Sequence, residues 1–165
     1  MPTPDFVLSL REKIGHDQLW LSGVTAVVVR PGAGAPDAPG PDEVLLVRRS
    51  DSGAWTPVTG IIDPGEEPAV AGAREVLEEA DVVAEPVSLM WVHTIPEVVY
   101  PNGDRSLYLD LCFLFRYVSG TPFPADGENT EAAWFALDAL PPLSDEMAAR
   151  IRAALAGGPG ARFEY

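Results

Sequence analysis

Hydrophobic positions along the chain fall into short runs separated by Gly, Pro, Asn and Asp, a pattern of strands joined by turns with a few helices between them. Residues 24–30 are rich in β-branched side chains and read as the first strand, after a mixed stretch at 8–20 that begins as a short helix. Residues 43–49 (EVLLVRR) read as a second strand pairing with the first, followed by a turn-rich segment at 50–53 and then Trp55. Between these strands, residues 31–41 hold Gly, Ala, Pro and Asp with no period, which predicts a surface loop. Residues 86–94 and 107–118 have strand composition, with a loop at 96–105 between them, and 132–137 adds a short strand. Residues 144–155 open with Ser144 and place Met147, Ile151 and Leu155 four apart, a capped helix with one apolar face. This order predicts a mixed β-sheet with helices packed on it, an α/β (α+β) class.

The most informative helix is predicted at 68–80, where Pro68 follows a Pro64-Gly65 turn and suits a first helical position. At 100° per residue, Ala69, Val70, Ala73, Val76, Leu77 and Ala80 share one sector, expected to face the core. Glu75, Glu78 and Glu79 fall on the opposite side and converge within one turn. Each close pair of like charges there costs roughly 0.2–0.5 kcal/mol. Two readings account for that cost: a solvated acidic face with Arg74 neutralising Glu78, or a site for a hard divalent cation, Mg²⁺ or Mn²⁺, which takes oxygen ligands.

The wider spacing favours the cation. Gly60, then Glu66 after five residues, then Arg74-Glu75-Val76-Leu77-Glu78-Glu79-Ala80-Asp81-Val82 after seven more, resembles the Nudix box, G-x5-E-x7-R-E-U-x-E-E-x-G-U with U aliphatic. Eight of its nine defined positions match. The departure is Asp81, where the family has glycine; Asp enters the left-handed conformation favoured after a helix end at a cost of roughly 1 kcal/mol.

The resemblance implies a Nudix-like α/β/α sandwich that hydrolyses a phosphoanhydride bond in a small nucleoside diphosphate linked to another group, a nucleotide sugar such as ADP-ribose or a modified nucleoside triphosphate. It implies Glu75, Glu78 and Glu79 as ligands of Mg²⁺ or Mn²⁺, with a backbone carbonyl of Thr59 or Gly60 completing the site. Arg74 would orient one of these glutamates, with Glu66 supporting it. The family often takes a general base from a later loop, which points to Glu128, with Glu131 in reserve. Arg48 and Arg49 are the candidate phosphate contacts; Trp55, His93, Tyr100, Arg105 and Tyr108 are plausible for the rest of the substrate by chemistry alone. Pro96 and Tyr100 lie near positions that mark two different subgroups, so they select no substrate. The aromatic-proline signature of the NADH-type enzymes and the cysteine of isopentenyl-diphosphate isomerase are both missing. The alternative is a Nudix-like domain that binds or senses a nucleotide without cutting it, against which stands the retention of every acid in the box.

Length and charge narrow the setting. A chain of 165 residues suits a single domain spanning 1–165, with residues 1–21 preceding its core. Its apolar runs are too short to span a bilayer and its charged N-terminus is unlike a secretory signal, so no membrane association and a cytoplasmic location are expected. Cys112 lies in an apolar run and is expected to pack as a small hydrophobe. With 25 acidic and 11 basic residues, the net charge of −14 opposes binding of long nucleic acids and favours a small nucleotide as partner. A homodimer is compatible with these features.

Overall fold

The computed structural model describes residues 3–35, 38–158 and 160–165. The chain begins with helix α1 (Asp5–Ile14) and continues through strands β1 (Leu19–Ala35), β2 (Ala38–Arg49), β3 (Trp55–Thr56) and β4 (Val58–Ile61) to helix α2 (Pro68–Ala80). Strands β5 (Val82–Val99), β6 (Arg105–Gly120) and β7 (Asn129–Ala136) follow, then helix α3 (Asp145–Leu155) and strand β8 (Arg162–Phe163). The sheet runs β3-β2-β1-β6-β5-β8, with β4 beside β1 and β7 beside β2. Its β1–β6 and β5–β8 pairs are parallel and its other pairs antiparallel, so it is the mixed sheet expected.

Alternation along the strands builds the layers. Val24, Ala26, Val28, Leu45 and Val47 point to one face and pack with Phe113, Phe115 and the α2 residues Ala71, Val76 and Ala80. Val27, Val44 and Leu46 point to the other, with Cys112 and the α3 residues Ile151, Ala153 and Ala154. The result is an α/β/α sandwich. Gly72 lets α2 lie close to the sheet, because a Cβ there would stand 2.8 Å from the Phe115 ring. On the other side α3 is tied down by a buried polar relay. Arg150 donates to Thr25 Oγ1 at 2.9 Å, the Thr25 hydroxyl donates to Asp110 at 2.9 Å, and Arg150 also pairs with Glu146. The α3 start is capped as expected, with Ser144 Oγ accepting from the Met147 N–H at 3.2 Å. Cys112 is buried, which pushes its thiol up to about 12.

Two expected loops are shorter than their composition suggests. Residues 31–41 are mostly the end of a β-hairpin, in which Gly32 pairs with Gly40 and Ala35 with Ala38; residues 36 and 37 lie outside the described residues. The ladder is built from backbone groups and so needs no side-chain period, and the register slips on either side of Gly32 accommodate Pro31. Likewise β5 continues past Pro96 to Val99 with a slip between Ile95 and Val98, leaving a tight turn closed by Tyr100 N–H to Asp104 O at 2.9 Å. No helix among the described residues is long and apolar enough to cross a membrane.

Candidate active site

Helix α2 spans the residues its sequence predicts and carries Pro68 in its first turn, yet it presents a different side to the sheet. Its buried residues are Ala71, Gly72, Glu75, Val76, Glu79 and Ala80, while Val70 and Leu77 are 59% and 48% exposed. The expected apolar sector is therefore corrected: Glu75 and Glu79 lie on the inward side. A hydrophobic sector places every carboxylate outward, but a carboxylate is buried without prohibitive cost when polar partners await it. Here Arg74 partners Glu75 and the amide of Asn129 partners Glu79, while Gly60 leaves the room that the Glu75 carboxyl occupies.

Glu75 is 1% exposed. Its carboxyl group lies against Gly60 of β4, where a Cβ would overlap it, and Oε1 accepts from Arg74 Nη1 at 3.0 Å. Oε2 is buried with no hydrogen-bond partner among the described residues. Burial, partly offset by the Arg74 charge, pushes the Glu75 carboxyl up to about 7. Arg74 is the hub of the helix's acidic side. It makes two 2.8 Å hydrogen bonds to Glu66, reaches Glu78 at 3.2 Å and donates to Ile61 O at 3.3 Å. The Glu66 bond raises the Arg74 pKa and lowers that of Glu66.

Glu79, one turn further on, faces other partners. Its Oε2 accepts from Asn129 Nδ2 at 3.1 Å, and its carboxylate together with those of Asp126 and Glu128 offers oxygens all within 4.8 Å of one another. Burial, with the negative charges of Glu75 and Asp126 adding to it, pushes Glu79 up to about 8. The segment bearing Asp126 is fixed along α2 by Phe123 N–H to Ala80 O at 3.0 Å and Ala125 N–H to Glu79 O at 3.4 Å. The backbone N–H of Glu128 donates to Asp126 Oδ1 at 3.0 Å.

The acids of the sequence motif thus divide into two groups, with Glu66, Glu75 and Glu78 around Arg74 and Glu79 with Asp126 and Glu128. Thr59 and Gly60 sit on β4 opposite Thr25 and Val24 of β1, with Gly60 against Glu75. Arg49 is held by Asp51 in two bonds of 3.0 and 2.8 Å, and its charge also interacts with Glu79 and Glu128. Arg48 turns instead to Glu131 at 2.7 Å and to Gly53 O. The other candidates make their contacts elsewhere, although Tyr100 lies near enough to Arg49 for the two to interact electrostatically. Trp55 packs edge-on against Phe135, and His93 stacks on Trp91 beside Asp110 on the α3 face. Tyr100 and Tyr108 share a 2.6 Å hydroxyl contact, and Arg105 pairs with Glu97. Sequence reasoning missed Asp126 and Asn129. The signal for Asp126 was an acid two residues ahead of Glu128 across a glycine; nothing local marks Asn129.

Among known protein families, the NUDIX domain matches residues 23–156. The chain belongs to the Nudix family. Among its relatives are the NAD-capped RNA hydrolase NudC of Pseudomonas aeruginosa, 36% identical over 104 residues covering 62% of this chain and 34% of that protein. An 8-oxo-dGDP phosphatase of Homo sapiens is 37% identical over 106 residues, covering 61% of this chain and 30% of that protein. The chain spans about a third of the length of these curated relatives. A MutT NUDIX hydrolase from Burkholderia pseudomallei has the same fold, with a TM-score of 0.61 and 26% identity over 82% of this chain and 98% of that one. In this Nudix chain the donor set of Glu79, Asp126 and Glu128 suits a hard cation, since it is all oxygen, and one turn back on the same helix Glu75 Oε2 is buried without a hydrogen-bond partner among the described residues.

Proposed function

We propose that the chain is a divalent-metal-dependent hydrolase that cleaves the phosphoanhydride bond of a small nucleoside diphosphate derivative, a nucleotide sugar such as ADP-ribose or a modified nucleoside triphosphate. The observation that carries this reading is the cluster of Glu79, Asp126 and Glu128. Three carboxylates within 4.8 Å, one of them buried, favour either a bound proton or a cation between them. Glu79, Asp126 and Glu128 would hold Mg²⁺ or Mn²⁺, with Glu75 and the backbone at Gly60 next to it. Such an ion lowers the pKa of a water and withdraws charge from phosphate oxygens.

The chain's own residues have separate tasks. Arg74 keeps Glu75 in one orientation, and Glu66 fixes Arg74. Glu128, the half-buried third member of the cluster, is the group to take the proton from an attacking water, through the carboxylate oxygen that would not face the cation. Arg49 is the phosphate contact, exchanging Asp51 for a substrate oxygen. The relatives' names support a diphosphate substrate, since 8-oxo-dGDP is itself a nucleoside diphosphate. The relation to a NAD-capped RNA hydrolase bears on the size of the substrate, and the charge of −14 argues for the small molecule over the strand.

The test is a hydrolysis screen with Mg²⁺ over ADP-ribose, other nucleotide sugars, dinucleoside polyphosphates, oxidised deoxynucleoside triphosphates and NAD-capped RNA, with products identified by mass. Cleavage of a small substrate, abolished by chelator, is expected. A specificity constant much larger for the capped RNA would overturn the small-substrate assignment, and binding without cleavage across the set would point to a sensor.

A further inference from the structure

A bulge decides which way the first residue of β7 faces. In the β2–β7 ladder Arg48 pairs with Glu131 and Arg49 with Asn129, so Thr130 is an extra residue on the β7 side. Beyond the bulge the strand alternates regularly, with Ala132 and Trp134 on the α2 face, Phe135 on the α3 face and Glu131 meeting Arg48. In an unbroken strand Asn129 would share the face of Glu131, two residues away. The inserted residue turns it over, as bulges beside functional sites do. Asn129 is consequently buried on the α2 side, 6% exposed, with Nδ2 3.1 Å from Glu79 Oε2.

The backbone around it is secured separately. The carbonyl of Glu128 accepts from the Ser50 N–H at 2.8 Å and from the Ser50 hydroxyl at 2.6 Å, and the Thr130 hydroxyl donates to Arg48 O at 3.3 Å. The start of β7 is therefore fixed to β2 by bonds that do not involve α2, and the Asn129 amide crosses from it to the helix.

We propose that Asn129 is a positioning residue for the cation site, its amide holding Glu79 Oε2 so that this carboxylate meets Asp126 and Glu128 in one orientation. The inference rests on the metal-site reading given above. A neutral donor is the residue type this task requires. A carboxylate in its place would add a fourth negative charge, a lysine or arginine would compete with the cation, and an aliphatic side chain would leave Glu79 to rotate.

The experiment is calorimetric titration of Mn²⁺ into the metal-free full chain, for the unsubstituted protein, Asn129→Ala, Asn129→Leu, Glu79→Gln and Glu79→Gln combined with Asn129→Leu. Asn129→Leu keeps the branched shape and heavy-atom count of the side chain without its hydrogen-bonding groups and covers the case in which the alanine variant does not fold. Both Asn129 variants are expected to weaken Mn²⁺ binding by about 10–100-fold. The concentration of Mn²⁺ needed for half-maximal activity should rise with the dissociation constant, with kcat largely recovered at saturation. In the double variant the Asn129 change should weaken binding no further than Glu79→Gln alone. Variants that melt at lower temperature yet bind Mn²⁺ as tightly as the parent would reduce Asn129 to a packing residue and overturn the proposal. So would a full additional loss in the double variant. Failure of the unsubstituted chain to bind Mn²⁺ would overturn the metal-site reading and this inference with it, whereas normal binding by parent and variants alike would overturn the inference alone.

Discussion

The carboxyl group of Glu75 fills the space beside Gly60 where any other residue would carry its side chain. The two residues are far apart in the motif and meet because β4 pairs with β1 while α2 packs over both. Gly60→Ala is therefore expected to displace the Glu75 carboxyl, costing about 1–3 kcal/mol of stability as overpacking does. Activity should fall at least tenfold. With Glu75→Ala in the same chain, the cost of Gly60→Ala should largely disappear, because residues in contact are not additive. Denaturant midpoints of the parent, both single variants and the double variant measure this. Equal costs of Gly60→Ala in the two backgrounds would show that the displaced carboxyl is not the cause.

Glu78 and Glu79 are neighbours in sequence with different surroundings. Glu79 is 4% exposed and faces Asp126 and Glu128, whereas Glu78 is about 42% exposed and bonded to Arg74. Glu79→Gln is expected to lower kcat at least a hundredfold with the fold intact, and Glu78→Gln at least tenfold less than that. Steady-state kinetics in saturating Mg²⁺, with circular dichroism to verify folding, separates them. Equal losses would place Glu78 in the same functional group as Glu79.

The raised carboxyls make stability of the metal-free protein depend on pH. Burial lifts Glu75 from 4.5 to about 7 and Glu79 from 4.5 to about 8, so between those values the folded chain holds protons that the unfolded chain has released. The contribution of both groups is complete below about pH 4.5 and is lost as pH rises through 7 and 8. In chelator, the part of stability due to these two groups should fall from pH 5 to pH 8.5. Protons and divalent cations compete for these oxygens, so the rise in melting temperature on adding Mg²⁺ should be larger at pH 8.5 than at pH 5. Thermal melts across that range, with Glu75→Gln and Glu79→Gln as controls that flatten the dependence, provide the measurement. A Mg²⁺ effect that grows toward pH 5 would contradict it.

The sheet and the two flanking helices were legible because their signals are local: β-branched runs, Pro68 at a helix start, Ser144 at another. The rotation of α2 was not, because the burial of Glu75 and Glu79 depends on residues 15 or more positions away, Gly60 on one side and Asn129 on the other. The strands through Pro31 and Pro96 were hidden for a related reason. Backbone pairing supplies their stability, and the side chains carry no period to announce it. The direction of Asn129 depends on a bulge that arises in the β2–β7 ladder and has no signature in either strand alone.

Asp81 stands at the end of α2 with φ 53° and ψ 35°, and it is the sole non-glycine residue with positive φ among those described. Its N–H closes the helix by donating to Leu77 O at 3.1 Å, a bond that uses the backbone and would survive any side-chain change. The left-handed conformation costs an L-residue roughly 1 kcal/mol, less for Asp than for most, while glycine adopts it without steric penalty but loses more chain entropy on folding. The first effect should outweigh the second here, since the helix end requires this conformation. Asp81→Gly is accordingly expected to raise stability by a few tenths to ~1 kcal/mol. Turnover should change little, because the chain direction beyond Val82 is already set by its pairing with Gly120. Denaturant midpoints and kcat of the two proteins provide the comparison. A lower midpoint for the glycine variant would mean that the Asp81 side chain stabilises this helix end through an interaction worth more than the strain it carries.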